Sequence, residues 1–132
     1  MQHMRYINLF EKLSGVSTRY CFKYNETIFF CVPRSMISKA IGEAGRNVRQ
    51  LSSILGKKIK IIPSPNGQED IKTFIENIVA PVQFNDFRAN ENEVTVSGNT
   101  QTKASLIGRN KRRLLEMQEI IKNFFSKDFR VV

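Results

Sequence analysis

Residues that enzymes use for catalysis and metal binding are scarce in this sequence. It holds one histidine, His3, among 132 residues, and its two cysteines, Cys21 and Cys31, are too few for a disulfide scaffold or a zinc site. Metal hydrolysis and histidine-based acid–base catalysis therefore have almost nothing to use. We expect no catalytic residue, no bound metal, no cofactor and no small-molecule substrate, which argues against most enzyme classes.

Long apolar runs are also missing. No stretch reaches the roughly 18 to 20 uncharged apolar residues that a membrane span requires, and residues 1–5 lack the charged-then-apolar pattern of a signal peptide. We therefore expect a cytoplasmic protein with no membrane partner. Cys21 and Cys31 fit buried, reduced thiols, since free cysteine is usually a small core residue, although the two could also face each other across a hairpin.

Positive charge is what the sequence has in excess. Twenty-one lysines and arginines against twelve aspartates and glutamates leave a formal charge of +9 and a pI near 9.9. The excess is uneven, because residues 1–67 carry a net charge of +8 and residues 68–132 only +1. Such a balance favours a polyanionic partner, nucleic acid or an anionic membrane surface, over an acidic protein.

The chain contains an internal repeat. The pair Ile41-Gly42 recurs as Ile107-Gly108, 66 residues later, and apolar or basic residues match at the same offset on both sides of it. Between the halves, residues 63–67 read Pro-Ser-Pro-Asn-Gly, which ends any strand or helix there. We predict two domains, residues 1–62 and 68–132, joined by a short, stiff linker at 63–67.

Hydrophobic periodicity gives the same order of elements in both halves: helix, strand, strand, helix, helix, strand. In the first half we predict a helix over Met4, Ile7, Phe10 and Leu13, strands over 20–24 and 27–32, a short helix from Pro33 through Ile41, a helix over Val48, Leu51 and Leu55, and a strand over 58–61. In the second half we predict a helix over 71–79, strands over 82–89 and 93–97, helices over 100–107 and 114–124, and a strand over 129–132. Helices on one face of a small mixed sheet make an α+β domain.

The stretch 41–48, Ile-Gly-Glu-Ala-Gly-Arg-Asn-Val, joins two predicted helices through a turn bracketed by Gly42 and Gly45. Glycine has no Cβ, so the backbone there can take positive φ and a sugar-phosphate strand can approach closely. The helix that begins after the turn directs free N–H groups and its dipole toward that strand. The alternative interpretation is that the two glycines only end one helix and ease a tight turn.

A version of this loop recurs at 108–111, Gly-Arg-Asn-Lys, among several cations and with no acidic residue between Val94 and Leu115. Two residues do not fit a pair of glycine-bracketed loops that bind phosphate. Lys111 occupies the place of the second glycine, so a non-glycine residue must hold that turn. Glu43 puts a negative charge inside the first loop, where it would repel a phosphate unless it points away or contacts a base edge.

The element order and the G-x-x-G loop resemble the KH family of RNA-binding domains in the type II arrangement. The segments 5–11 (RYINLFE) and 40–48 (AIGEAGRNV) and the tandem layout resemble the small archaeal NusA-like transcription termination and antitermination factors. The resemblance implies two tandem type II KH domains, each α-β-β-α-α-β. It also implies that each loop clamps about four nucleotides of single-stranded RNA while the bases rest on an apolar groove.

The resulting hypothesis is a non-enzymatic protein that binds single-stranded RNA and acts on nascent transcript at RNA polymerase in termination or antitermination. Two alternatives stay open: a KH-fold interaction module that docks on polymerase or ribosome, and a ribosome-assembly or RNA-processing KH protein. The predicted RNA-binding residues are those of the two loops and the cations around them: Lys39, Ile41, Gly42, Glu43, Ala44, Gly45, Arg46, Asn47, Arg49, Lys58, Lys60, Lys103, Gly108, Arg109, Asn110, Lys111, Arg112 and Arg113.

Overall fold

A computed structural model describes residues 4–132, so His3 lies outside the described residues. The chain divides into two units, the first ending at Ser64 and the second beginning at Pro65. Each unit has the predicted order of helix, strand, strand, helix, helix, strand, with its own three-stranded sheet. None of the described helices is long and apolar enough to cross a membrane.

The first unit contains a three-stranded mixed sheet. Its strands, in spatial order, are β1 (Tyr20–Tyr24), β2 (Thr27–Val32) and β3 (Lys58–Pro63). Strand β1 is antiparallel and β3 is parallel to the central β2. A single 3₁₀ turn, residues 43–45, separates the last two helices. The helices are α1 (Met4–Ser14), α2 (Ile37–Ile41) and α3 (Arg46–Leu55). The helix predicted from Pro33 begins as an α-helix only at Ile37, because residues 34–36 form a 3₁₀ turn.

The β1–β2 hairpin forms as the sequence predicts. Tyr24 pairs with Thr27, and Asn25 and Glu26 between them both have positive φ, 50° and 62°. Two central residues with positive φ give a turn whose twist matches that of the strands. Both strands begin and end at the predicted residues.

The core of the first unit lies between its helices and one face of its sheet. Ile28, Phe30 and Val32 alternate along β2 toward this face and are buried with Phe10 of α1 and Leu51 of α3. The rings of Phe10 and Phe30 stack at 4.5 Å. Burying such large apolar side chains is the main source of stability for a unit of this size.

Strand β3 is longer than the predicted 58–61. It runs to Pro63, which pairs opposite Val32, and the Ser64 N–H donates to the Val32 carbonyl at 2.9 Å. Proline is tolerated here because β3 lies at the edge of the sheet, where its missing N–H breaks no ladder bond. Placing Pro63 in a linker was therefore wrong, since it belongs to the sheet.

The second unit repeats this architecture with its own sheet, whose strands in spatial order are β4 (Asp86–Ala89), β5 (Glu93–Ser97) and β6 (Asp128–Val131). Val94, Val96, Met117, Ile121 and Phe129 are buried in it. The predicted helices over 71–79 and 100–107 have the observed bounds, and the strand predicted at 129–132 lies one residue earlier. Its helices are α4 (Ile71–Val79), α5 (Thr100–Ile107) and α6 (Arg112–Phe125).

The strand predicted over 82–89 is wrong in its first half. Its partner β5 has five residues and pairs with β4 only from Asp86 to Ala89, so residues 82–84 have no strand to pair with. The Val82 N–H instead donates to the Val79 carbonyl at 2.9 Å, closing a turn after α4. The alternation of Val82 and Phe84 with polar residues suggested a strand that the partner is too short to support.

Cys21 and Cys31 are free thiols, and they are not directly opposed. Cys21 pairs with Phe30 and Cys31 with Tyr20, so the two side chains point to opposite faces of the sheet. The alternative that they face each other across the hairpin is therefore wrong. Burial raises the pKa of Cys21 and of Cys31 to about 12, as expected for thiols in apolar surroundings.

Candidate nucleic-acid interface

The first candidate loop is a single 3₁₀ turn, Glu43–Gly45, between α2 and α3. Gly42 has φ 83° and ψ 165°, which ends α2, and Ala44 and Gly45 follow with positive φ of 54° and 74°. The Gly45 N–H donates to the Gly42 carbonyl at 3.1 Å and closes the turn. Glu43 and Ala44 at its tip are exposed.

Two backbone donors lie at the exposed tip of the turn. The amides of Glu43 and Ala44 precede the first bonded amide of the turn, that of Gly45, so no carbonyl of the turn accepts from them. Successive N–H groups around a left-handed residue form a concave site for an anion. The guanidinium of Arg49 donates to the Ala44 carbonyl, which places a positive charge on the same turn.

The second candidate loop has the same backbone conformation. Gly108 has φ 74° and ψ 171°, and Asn110 and Lys111 follow with φ of 57° and 61°. The Lys111 N–H donates to the Gly108 carbonyl at 3.1 Å, the counterpart of the bond from Gly45 to Gly42. Lys111 thus holds the left-handed conformation that glycine holds in the first unit, and the amides of Arg109 and Asn110 precede the first bonded one.

The charged residues predicted for the first loop divide into two groups. Lys39 near the end of α2 and Arg46 at the start of α3 are exposed beside the turn. Lys58 and Lys60 alternate along β3 with Ile59 and Ile61, which pack into the core under the helices. Since successive strand side chains point to opposite faces, both lysines lie on the face away from the helices and the loop.

The cations predicted for the second loop gather more tightly around it. Arg109 and Lys111 are exposed in the turn, and Arg112 begins α6 directly after it. Lys103 lies more than a helical turn before the loop, in the first half of α5, and is half-buried. This loop contains no counterpart of the acidic Glu43.

Each loop stands beside a strip formed by a helix and an edge strand. In the first unit α2 contacts both α3 and β3, and in the second unit α5 contacts both α6 and β6. Ile41, half-buried at the end of α2, and Ile107, its counterpart at the end of α5, provide apolar surface next to the turns. Apolar surface of this kind suits the flat faces of nucleobases.

Asn47 and Arg113 occur in the predicted set, but the structure gives them partners within the chain. Asn47 Nδ2 donates to the carbonyls of Ala40 at 3.1 Å and of Lys39 at 3.3 Å. Arg113 Nη1 donates to the carbonyl of Ser105 at 3.0 Å. Both side chains therefore bind the preceding helix.

Sequence reasoning missed Leu115, which lies in the first turn of α6 with 58% of its surface exposed. At the repeat offset of 66 residues it takes the place of Arg49. The repeat itself could have found it, because a leucine stands where the first unit has a cation on the loop. Among residues 4–132, no three histidine, cysteine, aspartate or glutamate side chains come together to hold a metal ion.

Comparisons with known proteins place this chain beside archaeal proteins. It is 40% identical over 80 residues to the "Probable transcription termination protein NusA" of Methanococcus vannielii and 36% identical over 80 residues to the protein of the same description from Methanocaldococcus jannaschii. Each alignment covers 61% of this chain but only 44% and 42% of those relatives, so the matched part spans less than half of their length. The protein of that description from Halococcus morrhuae is 30% identical over 94 residues, which cover 71% of this chain and 66% of the relative.

A solved structure has the same fold over nearly the whole chain. The crystal structure of APE1850 superposes with a TM-score of 0.66 at 22% identity, covering 97% of this chain and 95% of that one. At this level of identity the likeness concerns the fold alone. No protein-family model matches the sequence.

Proposed function

We propose that this chain, which belongs to the family of the archaeal NusA transcription termination proteins, binds single-stranded RNA through two tandem type II KH domains. It acts, in this proposal, in the cytoplasm on nascent transcript at RNA polymerase, in termination or antitermination. It is a binding factor and performs no catalysis. The element order of each unit supports the KH assignment, since both follow α-β-β-α-α-β around a glycine-initiated turn.

One observation carries this proposal: the same left-handed turn is built twice, with different residues. The second unit keeps φ near 60° at Lys111, although this conformation is strained for a residue with a Cβ. In both units two amides of exposed residues precede the first hydrogen-bonded amide of the turn. Retaining it without glycine favours a function for the backbone itself.

The proposed mechanism separates affinity from specificity. The tip amides and the dipole at the start of α3 or α6 hold phosphate groups, and neighbouring cations such as Arg46 and Arg112 add attraction that weakens with salt. Bases then rest on the strip between α2 and β3, or between α5 and β6. Glu43, exposed at the first tip, accepts a hydrogen bond from a base edge, so that it adds specificity at that position.

The experiment adds one negative charge at each tip without changing the backbone. Ala44→Asp and Asn110→Asp place a carboxylate beside the proposed phosphate, and Ala44→Asn is the neutral control for the first loop, with wild-type Asn110 serving the second. Asparagine and aspartate both tolerate the left-handed conformation. We expect the double Asp variant to lose at least about tenfold in affinity for single-stranded RNA, measured by fluorescence anisotropy, since loss of one charge-assisted bond per loop costs about 1.5 kcal/mol or more.

The neutral control shows whether a loss of RNA affinity in the double Asp variant comes from the added charge. Ala44→Asn should bind within about twofold of wild type, because it changes only the size of an exposed side chain. Unchanged binding by the double Asp variant, with an intact circular dichroism spectrum, would remove both loops from RNA binding.

A second candidate function is a protein-interaction module that docks on polymerase or ribosome. Exposed Leu115 beside the second loop and the near-neutral charge of residues 68–132 favour it. Polymerase subunits recovered with the protein after nuclease treatment and at high salt would support this function. Their loss under nuclease would support a link through RNA. Recovery of ribosomal RNA in place of nascent transcripts would indicate a role in ribosome assembly or RNA processing.

A further inference from the structure

The second residue of α3 and the second residue of α6 each reach back across the loop that precedes them. Asn47 Nδ2 contacts the carbonyls of Lys39 and Ala40 in α2, and Arg113 Nη1 contacts the carbonyl of Ser105 in α5. Lys39 and Ser105 are separated by 66 residues, as are Asn47 and Arg113. Two chemically different side chains thus make the same contact at equivalent places.

The acceptors are carbonyls that the helix itself leaves unpaired. The last four carbonyls of a helix have no intrahelical donor. In α2 the Gly42 N–H takes the Ser38 carbonyl at 3.0 Å, and Asn47 takes the next two. In α5 the Gly108 N–H takes the Ala104 carbonyl at 2.9 Å, and Arg113 takes the next one.

The first glycine of each loop makes room for this contact. A Cβ added to Gly42 would lie 2.9 Å from Asn47 Nδ2 and 3.0 Å from the Asn47 backbone nitrogen. A Cβ added to Gly108 would lie 2.9 Å from Cγ and 3.2 Å from Cβ of Arg113. The space that a side chain at Gly42 or Gly108 would need is therefore occupied by Asn47 or Arg113, at the same place in both units.

We infer that Asn47 and Arg113 are positioning residues, whose contact with the preceding helix holds the tip amides of each loop in the orientation that binds phosphate. We call this contact the loop tie. Its role in RNA binding rests on the proposed function. The tie joins the end of one helix to the start of the next across only the four residues of the turn, so it limits how far the helices can separate and how far the tip can rotate.

The sequence places both residues among those expected to bind RNA, and the loop tie gives them a different task. Asn47 is neutral and Arg113 is charged, yet each donates an N–H to a carbonyl of the preceding helix. What they share is a donor of sufficient reach. Charge is thus not the property that the position requires.

The first experiment removes the donor and then restores it with the residue that the second unit uses. Asn47→Leu keeps the approximate size without a donor, and Asn47→Arg supplies a guanidinium donor. Because the arginine also adds a positive charge, the matched control is Asn47→Leu with Gln50→Arg, which has the same charge without a donor at position 47. Gln50 is exposed one turn further along α3.

We expect Asn47→Leu to bind a single-stranded RNA of about eight nucleotides, twice the length that one KH domain holds, about fivefold to tenfold more weakly than wild type. Asn47→Arg should restore wild-type affinity or better, whereas the charge-matched control should remain weak. Equal affinity of Asn47→Arg and the control would overturn the inference, since charge alone would then explain the rescue.

A second measurement reports on the loop without RNA. ¹⁵N relaxation of the Glu43 and Ala44 amides should show order parameters near those of rigid backbone, about 0.85, in wild type and Asn47→Arg, and a fall toward about 0.6 in Asn47→Leu. Unchanged order parameters in a folded Asn47→Leu would overturn the inference. If wild type bound no RNA while the order parameters behaved as expected, the proposed function would fail and the loop tie would stand.

The second unit provides an independent variant pair, which serves if Asn47→Leu does not fold. Arg113→Gln keeps a donor and removes the charge, whereas Arg113→Leu removes both. The Arg109 and Asn110 amides should stay ordered in Arg113→Gln and lose order in Arg113→Leu. Equal order in the two variants would contradict a tie through the donor.

Discussion

At the scale of single residues, Lys111 carries a backbone conformation that costs energy. Its φ of 61° is left-handed, and such a conformation costs an L-residue roughly 1–2 kcal/mol. Lys111→Gly removes that strain but increases the freedom of the unfolded chain by about 0.5–1 kcal/mol. We expect a net stabilisation of about 0.5–1 kcal/mol, seen as a higher midpoint of urea unfolding at unchanged slope.

The variant Lys111→Ala separates the effect of backbone strain on stability from the effect of the lysine charge. It removes the ammonium group but retains a Cβ, so it should be no more stable than wild type. The same two variants should bind RNA about equally weakly if the lysine contributes by charge. A gain in stability for both variants would show that repulsion among neighbouring cations, and not φ, is what destabilises the loop.

The two thiols give a prediction for alkaline pH. Burial raises the pKa of both Cys21 and Cys31 from 9.0 to about 12. Between these values the unfolded chain releases thiol protons that the folded chain keeps, so the unfolded state binds fewer protons and stability falls as pH rises from 9 toward 12. At pH 8 the folded thiols should also react with iodoacetamide about a thousandfold more slowly than in urea, since the reactive form is the thiolate.

The measurement compares wild type with the Cys21→Ala/Cys31→Ala variant by urea unfolding at pH 8 and pH 10. Other groups titrate in this range, so only the difference between the two proteins reports on the thiols. Wild type should lose more stability between the two pH values than the variant does. Equal losses would mean that the thiols ionise in the folded state as readily as in the unfolded chain.

At the scale of elements, sequence patterns predicted those helices and strands whose bounds depend on residues close to them in the chain. The β1–β2 hairpin has its predicted bounds because aromatic and β-branched residues flank a two-residue turn, and the helices that follow the two loops, α3 and α6, lie where their apolar stripes place them. The error at 82–89 has a different origin. Alternating apolar residues indicate that a segment can form a strand. The length of β4, however, depends on how many residues of its partner β5 can pair with it.

In the candidate site, too, the features set by local sequence could be predicted and those set by contacts between elements could not. Gly42 and Gly45 identified the first loop from the sequence, because glycine at a helix junction indicates positive φ. The second loop looked weaker, since its Lys111 gives no such indication, yet its backbone is the same. The contacts of Asn47 and Arg113 could not be predicted either, because a side-chain donor that reaches a helix end depends on the distance between two helices, which periodicity does not give.

At the scale of the whole chain, the distribution of charge matters more than its sum. Residues 68–132 have a net charge of only +1, although five cations lie in the second loop or close to it on either side, namely Lys103, Arg109, Lys111, Arg112 and Arg113. The rest of that unit is therefore acidic on balance, and its positive potential is concentrated at the loop. A unit that looks neutral by composition can still bind a polyanion at one place.

The salt dependence of RNA binding tests this distribution. Each phosphate contact to single-stranded nucleic acid contributes about −0.7 to the slope of log K against log salt concentration. Arg109→Gln with Lys111→Asn removes two cations from the second loop, and asparagine tolerates the left-handed conformation at 111.

The control, Lys72→Gln with Arg88→Gln, removes two exposed cations from α4 and β4, so both variants have a formal charge of +7, two below the +9 of wild type. We expect the loop variant to flatten the slope by about 1.4 and the control to leave it unchanged. Equal flattening in both variants would mean that the total charge attracts RNA without regard to position, and the second loop would lose its place in the interface.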